Sequence, residues 1–432
     1  MASLHLATRL WGSFQLWVVT LRGTLTRELN YSTDLFFGLD FFMAVAGVRL
    51  KSQNGTLRRC WNVYRWIIHL PGIVICWNAI VFVKRHEQLE VVLITLEATM
   101  TIVVTVMRMF LLRWNYKSFV EVKNYVNRRC FGRNLGPSLG VRSRAFDHVR
   151  IIVTGVIILI FFLVATVVHV GVAQHPHLKL PFDVRSTMPY VQDLCEKMLG
   201  FLTFGVISLM SLVYLIDYIV LTGLAAECKV IAQTFAAIFT TVEQRIQRKL
   251  DSEPVRRQNV NRKYYFWMYV QEELGKCITL HIELLAKKNK IKPLLNANFL
   301  IIYYSTVVIL ASGVAHMSKM KTVTLYSLQI LGHVLYVAFE CATLTRMVNL
   351  MTEANESIGW ELYNLDWPET LECDAQFRED YRSVRQAVLT VLEVAQQPLG
   401  LNCFGFFEFT QDRFWELLNM AYNFYTFLRN FV

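Results

Sequence analysis

The sequence predicts an all-α membrane protein with seven transmembrane helices, its N-terminus cytoplasmic and its C-terminus extracellular. Three observations carry that reading. The 432 residues are 54% hydrophobic and only 18% charged, where an ordinary soluble domain is roughly 25% charged. Six apolar runs reach or approach the roughly 20 residues of helix that a bilayer core of about 30 Å demands. Lys and Arg are shared very unequally between the segments that join those runs. This composition excludes a disordered chain, a coiled coil and a small disulfide-stapled domain. The net charge of +11 would suit nucleic acid, but basic residues gathered on one membrane face account for it better, and no nucleic-acid partner is expected.

The N-terminal segment, 1–62, carries Arg9, Arg22 and Arg27 among short apolar stretches, so no cleavable signal peptide is read there. Within it, 35–48 is apolar but only about fourteen residues long. That length reads as a re-entrant or membrane-surface helix. The spans follow at 66–83, 91–112, 151–173, 198–221, 294–315 and 323–351. Each must be helical, because lipid offers the backbone no other hydrogen-bond partner. A weaker seventh runs from 409 to 432, with Asp412, Arg413 and Glu416 near its start and only Arg429 charged beyond them. Segments 1–62, 113–148, 222–293 and 352–400 together hold 31 Lys and Arg, and segments 84–90, 174–197 and 316–322 hold 7. The basic side is cytoplasmic, which is opposite to a G-protein-coupled receptor. The organisation is then a cytoplasmic N-terminus (1–62), a six-helix bundle (63–351) with a cytoplasmic loop at 222–293, a cytoplasmic segment (352–400) and a last helix (401–432). Sequons at Asn30, Asn54 and Asn355 fall on the cytoplasmic side and should be unused. Only Cys195 lies in an outer loop, so no structural disulfide is expected there.

Motifs of catalysis are missing: there is no P-loop, no G-x-S-x-G, no H-E-x-x-H and no C-x-x-C. His175-Pro176-His177 has no carboxylate or thiol partner in sequence and reads as loop. An enzyme, a cofactor and a metal are therefore not expected. A transporter would want a matched pair of broken helices in two repeated halves. Here Pro71 and Gly72 break the first span alone. Charges inside spans default to functional hypotheses. Glu97 sits seven residues into the second span and reads as a ligand or gating group, or as a carboxylate paired across the bundle or protonated in place. Arg108 lies near the inner end of that span, within snorkelling reach. Asp217 and Glu227 lie at the inner end of the fourth and read as wet. Glu340 and Arg346 are six apart in the sixth and pair only loosely.

Two features stand near the end of the chain. Phe377, Tyr381, Val384, Val388, Val391 and Leu392 recur at helical spacing with Arg378, Glu379, Arg382 and Arg385 between them, an amphipathic helix that Pro398 and Gly400 close. In the final helix, Asn419, Asn423, Phe427 and Asn430 form a stripe distinct from the apolar face of Phe414, Leu417, Leu418, Ala421, Tyr422, Tyr425 and Leu428. An amide stripe on a membrane helix wants a partner helix or water. Four copies about an axis would line a conduit, with Phe427 or Phe431 as a dewetting constriction.

These residues carry a resemblance to the insect odorant receptors. Glu353-Ala354-Asn355-Glu356-Ser357-Ile358, then Tyr363 and Trp367, look like the family's turn after the sixth span. Gln396-Gln397-Pro398-Leu399 resembles the motif ending the cytoplasmic half of the seventh helix. Gly405, Phe409, Phe414, Leu417-Leu418, Ala421-Tyr422, Tyr425 and Leu428 match the terminal pattern. The residue pattern covers about the last eighty positions, and the topology covers the whole chain. Asn423 stands where the family commonly has Ser. The loop 222–293 is shorter than that of the shared co-receptor, so the chain resembles an odour-tuning subunit.

The resemblance implies an odorant-binding subunit of a ligand-gated, non-selective cation channel. It would assemble with co-receptor subunits in a heterotetramer, in the plasma membrane of olfactory sensory neurons. The seventh helices would line the pore, with Asn423 facing it and Phe427, Asn430 and Phe431 at the gate, and cytoplasmic helices would form a central anchor. The family's pocket lies in the outer half of the bundle between the second, third, fourth and sixth spans. Projected here, it takes Val92, Thr95, Leu96 and Thr99; then Phe161, Phe162, Ala165 and His169. From the fourth span it takes Leu199, Leu202, Thr203, Phe204 and Ile207, and from the sixth Tyr326, Ile330, His333 and Val337. Such a lining suits a small volatile held by burial and one hydrogen bond. A gustatory-type homomeric channel is the nearest competing reading; a coupled receptor or a transporter stands further off.

Overall fold

The computed structural model describes residues 34–50, 54–85, 89–128, 138–170, 178–180, 188–251, 255–319, 324–365, 367–371 and 373–431. Asn30 and the His175-Pro176-His177 triplet lie outside the described residues, as do the side chains of Asn430 and Phe431. Apart from one isolated bridge between Asn402 and Glu408, the described secondary structure is helical. The order is α1 (Leu39–Val45), α2 (Gly55–Ile67), α3 (Leu70–Lys84), α4 (Leu89–Trp114), α5 (Tyr116–Val126), α6 (Leu139–Val170) and α7 (Pro189–Ala236). Then come α8 (Ile238–Leu250), α9 (Val255–Lys319), α10 (Leu325–Tyr363), α11 (Trp367–Thr370), α12 (Arg378–Ala395) and α13 (Gln411–Phe431).

Six helical stretches are long and apolar enough to cross a bilayer: Gly55–Lys84, Ile94–Trp114, Leu139–His169, Pro189–Ala236, Arg262–Ser318 and Leu325–Thr370. Among the described residues, each overlaps one of the six spans read from the sequence. Their outward faces carry Trp66, Trp77, Phe110, Ile151, Phe161 and Phe201, all exposed, as a lipid-facing surface requires. Pro71 falls in the first turn of α3, where its missing N–H leaves no bond unmade. The chain breaks at Ile68 and His69 just before it, so the first span is two helices end to end.

Two helices far outrun a membrane. At 1.5 Å per residue, the 48 residues of α7 extend about 72 Å and the 65 of α9 about 98 Å. The segment 222–293, read as a loop, is therefore largely helix: the end of α7, then α8, then the first half of α9. Its inner faces join α12 in a layer apart from the six spans. Val384, Val388, Val391 and Ala395 form the buried face of α12. Trp267 of α9 packs against Phe377 and Tyr381. Arg245 lies over the Tyr269 ring and pairs with Glu272 and Glu273.

Four expectations change with the fold. The apolar segment 35–48 is not on the membrane surface: Leu35, Phe36 and Leu39 have no exposed surface and pack with Phe119 and Phe146 in the main core. A stretch too short to span finds apolar partners inside its own bundle. The Glu353–Ile358 motif is not a turn, because α10 continues unbroken to Tyr363. Asn355 inside it is buried and donates to the Ala395 carbonyl at the end of α12, leaving no room for a glycan. Finally, Asp217 and Glu227 are not wet, and Arg108 does not snorkel. All three are buried.

Candidate functional site

Hydroxyls and charges on the spans sort onto two kinds of helix face. Thr95, Thr99, Thr101 and Thr105 of α4 each turn the hydroxyl back to the carbonyl four residues earlier, so they can sit in apolar surroundings without a tertiary partner. Charged groups cannot do this and must find one another.

At the end of the bundle where α4, α7 and α10 begin and α6 ends, the helices enclose a cavity of about 170 Å³. Helix α4 contributes Ile94, Glu97, Ala98, Thr101 and Ile102, one face at helical spacing. Helix α7 contributes Thr203, Val206, Ile207 and Met210, and α10 contributes Tyr326, Gln329, Ile330 and His333. Leu163 and Val167 of α6, Ile75 of α3 and Leu178 complete the wall. The lining is apolar apart from a few convergent polar groups, the usual make-up of a small-molecule site. Across Ile102 and Val206 lies a larger space of about 460 Å³. Its walls include Ile73, Trp77, Ile80 and Val106, all exposed, so it is a groove in the lipid-facing surface.

A polar contact crosses the cavity wall: His333 Nδ1 lies 3.1 Å from Glu97 Oε1. Glu97 is thus paired across the bundle, from α4 to α10. Gly313 of α9 lies beside the pair. A Cβ there would stand 2.3 Å from Val334 Cγ2. The missing side chain lets α9 and α10 come together next to it.

Just beyond the cavity is a buried charge cluster. Arg108 Nη1 meets Glu340 Oε1 at 2.5 Å and Nη2 meets Asp217 Oδ2 at 3.4 Å. Asn298 Nδ2 donates to both Asp217 oxygens, at 3.1 and 3.0 Å. No member is more than 3% exposed, so neither bulk water nor lipid headgroups solvate them. Four helices, α4, α7, α9 and α10, are tied at this one point. Glu340 pairs across the bundle and not along its own helix, and Arg346 reaches Glu353 at 4.0 Å. A small cavity of about 20 Å³ separates the cluster from the large one and shares Thr101 and Met210 with it.

Of the sequence-projected residues, the cavity brings together Thr203, Ile207, Tyr326, Ile330 and His333. Val337 lines the small cavity instead. Leu96, Phe161, Phe162, Ala165 and His169 are exposed on the outer surface of the bundle. Phe204 is half-buried with its ring 6.1 Å from Phe161. Thr95 and Leu199 are buried and Val92, Thr99 and Leu202 half-buried, all of them off the cavity wall. The projected helices α4, α6, α7 and α10 all line the cavity, but on α4 and α6 the projected residues lie off its wall. A signal for the α4 face was present: Glu97 and Thr101 are four apart, and Ile94, Ala98 and Ile102 flank them at helical spacing. Leu178 and Ile75 had no signal, since neither belongs to the four spans considered.

The last helix docks through its connection. Asn296 donates to the Asn402 side chain at 2.8 Å and accepts from the Asn402 backbone at 3.1 Å. Lys288 donates to the Leu399 carbonyl at 3.2 Å. Phe409 stacks on Phe299 at 4.4 Å. Gly400 turns the chain with φ +66°, in the left-handed region. Leu417 and Ala421 of α13 are buried, while Asn419, Asn423 and Phe427 are exposed on another face.

The family model of the 7tm Odorant receptor matches residues 88–422. No match is found among curated proteins. Among solved structures, the chain is similar to the insect olfactory receptor OR5 from Machilis hrabei in complex with eugenol, with a TM-score of 0.67 at 11% identity, covering 92% of this chain and 98% of that one. It is similar to the same receptor described without that ligand, again with a TM-score of 0.67 at 11% identity, covering 91% and 97%.

Proposed function

Because the chain belongs to the 7tm odorant receptor family, a family of multi-pass membrane receptors and not of enzymes, we infer that it is the odorant-binding subunit of a ligand-gated, non-selective cation channel. The observation that carries this reading is the cavity of about 170 Å³ between α3, α4, α6, α7 and α10. Its volume and apolar wall fit a small volatile. An apolar cavity of about 150 Å³ holds benzene, so a single substituted ring is the right scale. Burial supplies most of the affinity. The solved relative in complex with eugenol supports an odorant as the ligand class.

Opening follows from linkage: the ligand must bind the open state better than the closed one, each 1.4 kcal/mol of difference being about tenfold. In this reading the subunit sits in a heterotetramer with co-receptor subunits, in the plasma membrane of olfactory sensory neurons, N-terminus inside. The exposed face of α13 supports a pore role. Asn419, Asn423 and Phe427 are exposed on it, and Asn423, Phe427, Asn430 and Phe431 would meet their counterparts around the axis. The α8–α9–α12 layer would be the cytoplasmic anchor.

The experiment is whole-cell current in cells expressing this chain with and without an insect co-receptor, against a panel of volatile aromatics, esters and heterocycles. A fast cation current only with both chains is expected. Current from this chain alone would make it a homomeric, gustatory-type channel. Silence in both would overturn the channel reading.

A further inference from the structure

We propose that the cavity selects a small volatile that donates a hydrogen bond, a phenol or an alcohol, through His333 and Gln329. This rests on the cavity being the ligand site, and it adds the ligand's chemistry. The argument begins at Glu97, whose Oε1 lies 3.1 Å from His333 Nδ1. In the neutral tautomer that hydrogen-bonds Glu97 through Nδ1–H, Nε2 keeps its lone pair. The imidazole is then an acceptor on its other edge. Nε2 is buried and has no hydrogen-bond partner among the described residues. Gln329 stands four residues earlier on the same face of α10, and its Oε1 is likewise buried and unpartnered. Both residues line the cavity, whose wall around them is Ile94, Ala98, Leu163, Val167 and Ile330. Two acceptors beside an apolar space, with the Tyr326 hydroxyl on the same wall able to give its proton to a ligand oxygen, call for a ligand that itself gives a proton. A ligand O–H satisfies one or both. An ether or carbonyl oxygen facing them sets lone pair against lone pair, and a hydrocarbon leaves both acceptors bare. A site with buried polar groups discriminates against ligands that fail to pair them.

Three volatiles of nearly equal size test this: 4-methylphenol, p-xylene and 4-methylbenzaldehyde. Each is measured twice, as the concentration for half-maximal current with the co-receptor, and as binding to the purified full chain by quenching of tryptophan fluorescence. The expected result is half-saturation by 4-methylphenol at about tenfold lower concentration than by the other two, the effect of one net hydrogen bond. His333→Phe, with folding checked by its size-exclusion profile, should remove that advantage. Gln329→Leu should reduce it. Glu97→Gln, whose amide is able to donate to Nδ1 and so put the proton on Nε2, should raise the aldehyde relative to the phenol. Equal half-saturation of the three in the unaltered chain, an advantage that survives both His333→Phe and Gln329→Leu, or no binding by any of the three overturns the proposal. A binding preference without current in any cell leaves it standing and overturns the channel reading instead. Current without preference does the reverse.

Discussion

Arg108 shows how one residue can settle the interior of a membrane bundle. A guanidinium cannot be deprotonated and carries five donors in a fixed fork, so in an apolar interior it must be met by anions. Glu340 and Asp217 meet it from two other helices, and Asn298 holds Asp217 from a third. Replacing the whole of such a cluster by apolar residues is often neutral or stabilising, but removing one partner from it strands the rest. Arg108→Met should therefore cost about 3–5 kcal/mol, read as a large drop in the thermal unfolding midpoint of the purified chain. Arg108→Met combined with Glu340→Gln and Asp217→Asn should recover much of that loss, because no anion is left stranded. A triple variant no better than the single one would show that the cluster is held by shape and not by charge. None of these pairings was readable from sequence. Arg108, Asp217 and Glu340 are 109 and 232 positions from their partners, and position along a span says nothing about which face of another span will meet it.

Helices and their contacts were legible to different degrees. The amphipathic α12 was readable residue by residue, because its apolar positions repeat at 3.6 and its polar ones fill the gaps. Its partners were not. The same element also carries an electrostatic latch at its start: Lys263 of α9 donates to Asp374 at 3.3 Å. That bond, with backbone N–H groups at Gln376 and Ala375, holds the Asp374 carboxyl below the ordinary carboxylate range. A lowered carboxylate stabilises the folded contact above its unfolded pKa and loses that contribution as pH falls through the folded one. The 374–377 segment should therefore be protected from proteolysis at pH 7 and open as pH drops below the ordinary carboxylate range. Asp374→Asn should flatten that pH dependence. An unchanged pH profile in the variant would assign the protection to Trp267 and Phe377 alone.

Across the whole molecule, two layers are joined by helices longer than a membrane is thick, so movement in one layer is mechanically available to the other. The large cavity shares Thr101 and Met210 with the small one that touches Arg108 and Glu340, and Asn298 of the cluster is next to Phe299, on which Phe409 stacks ahead of α13. These contacts run from the cavity wall toward the last helix, and α13 presents Asn423 on an exposed face. If that face lines the conduit, Asn423→Cys in the channel with its co-receptor should be modified by a charged, water-soluble thiol reagent, faster in the presence of odorant, with block of current. Ala421→Cys, on the buried face, should be unaffected. Equal rates at the two positions would remove α13 from the pore.

The sequence by itself determined that the chain is a bundle of membrane-crossing helices, where most of them run, and that an amphipathic helix and an amide-striped helix close it. These follow from local rules: apolar run length, helical period and the need of a backbone in lipid to satisfy itself. Tertiary structure alone decided which face of each span looks inward, that 35–48 is core, that Glu97 belongs to His333 and Arg108 to Glu340 and Asp217. In a membrane helix both faces are apolar, one for lipid and one for neighbours, so hydrophobicity loses the contrast that marks a buried face in water. Only the close approach of other helices, permitted at points such as Gly313, distinguishes the two.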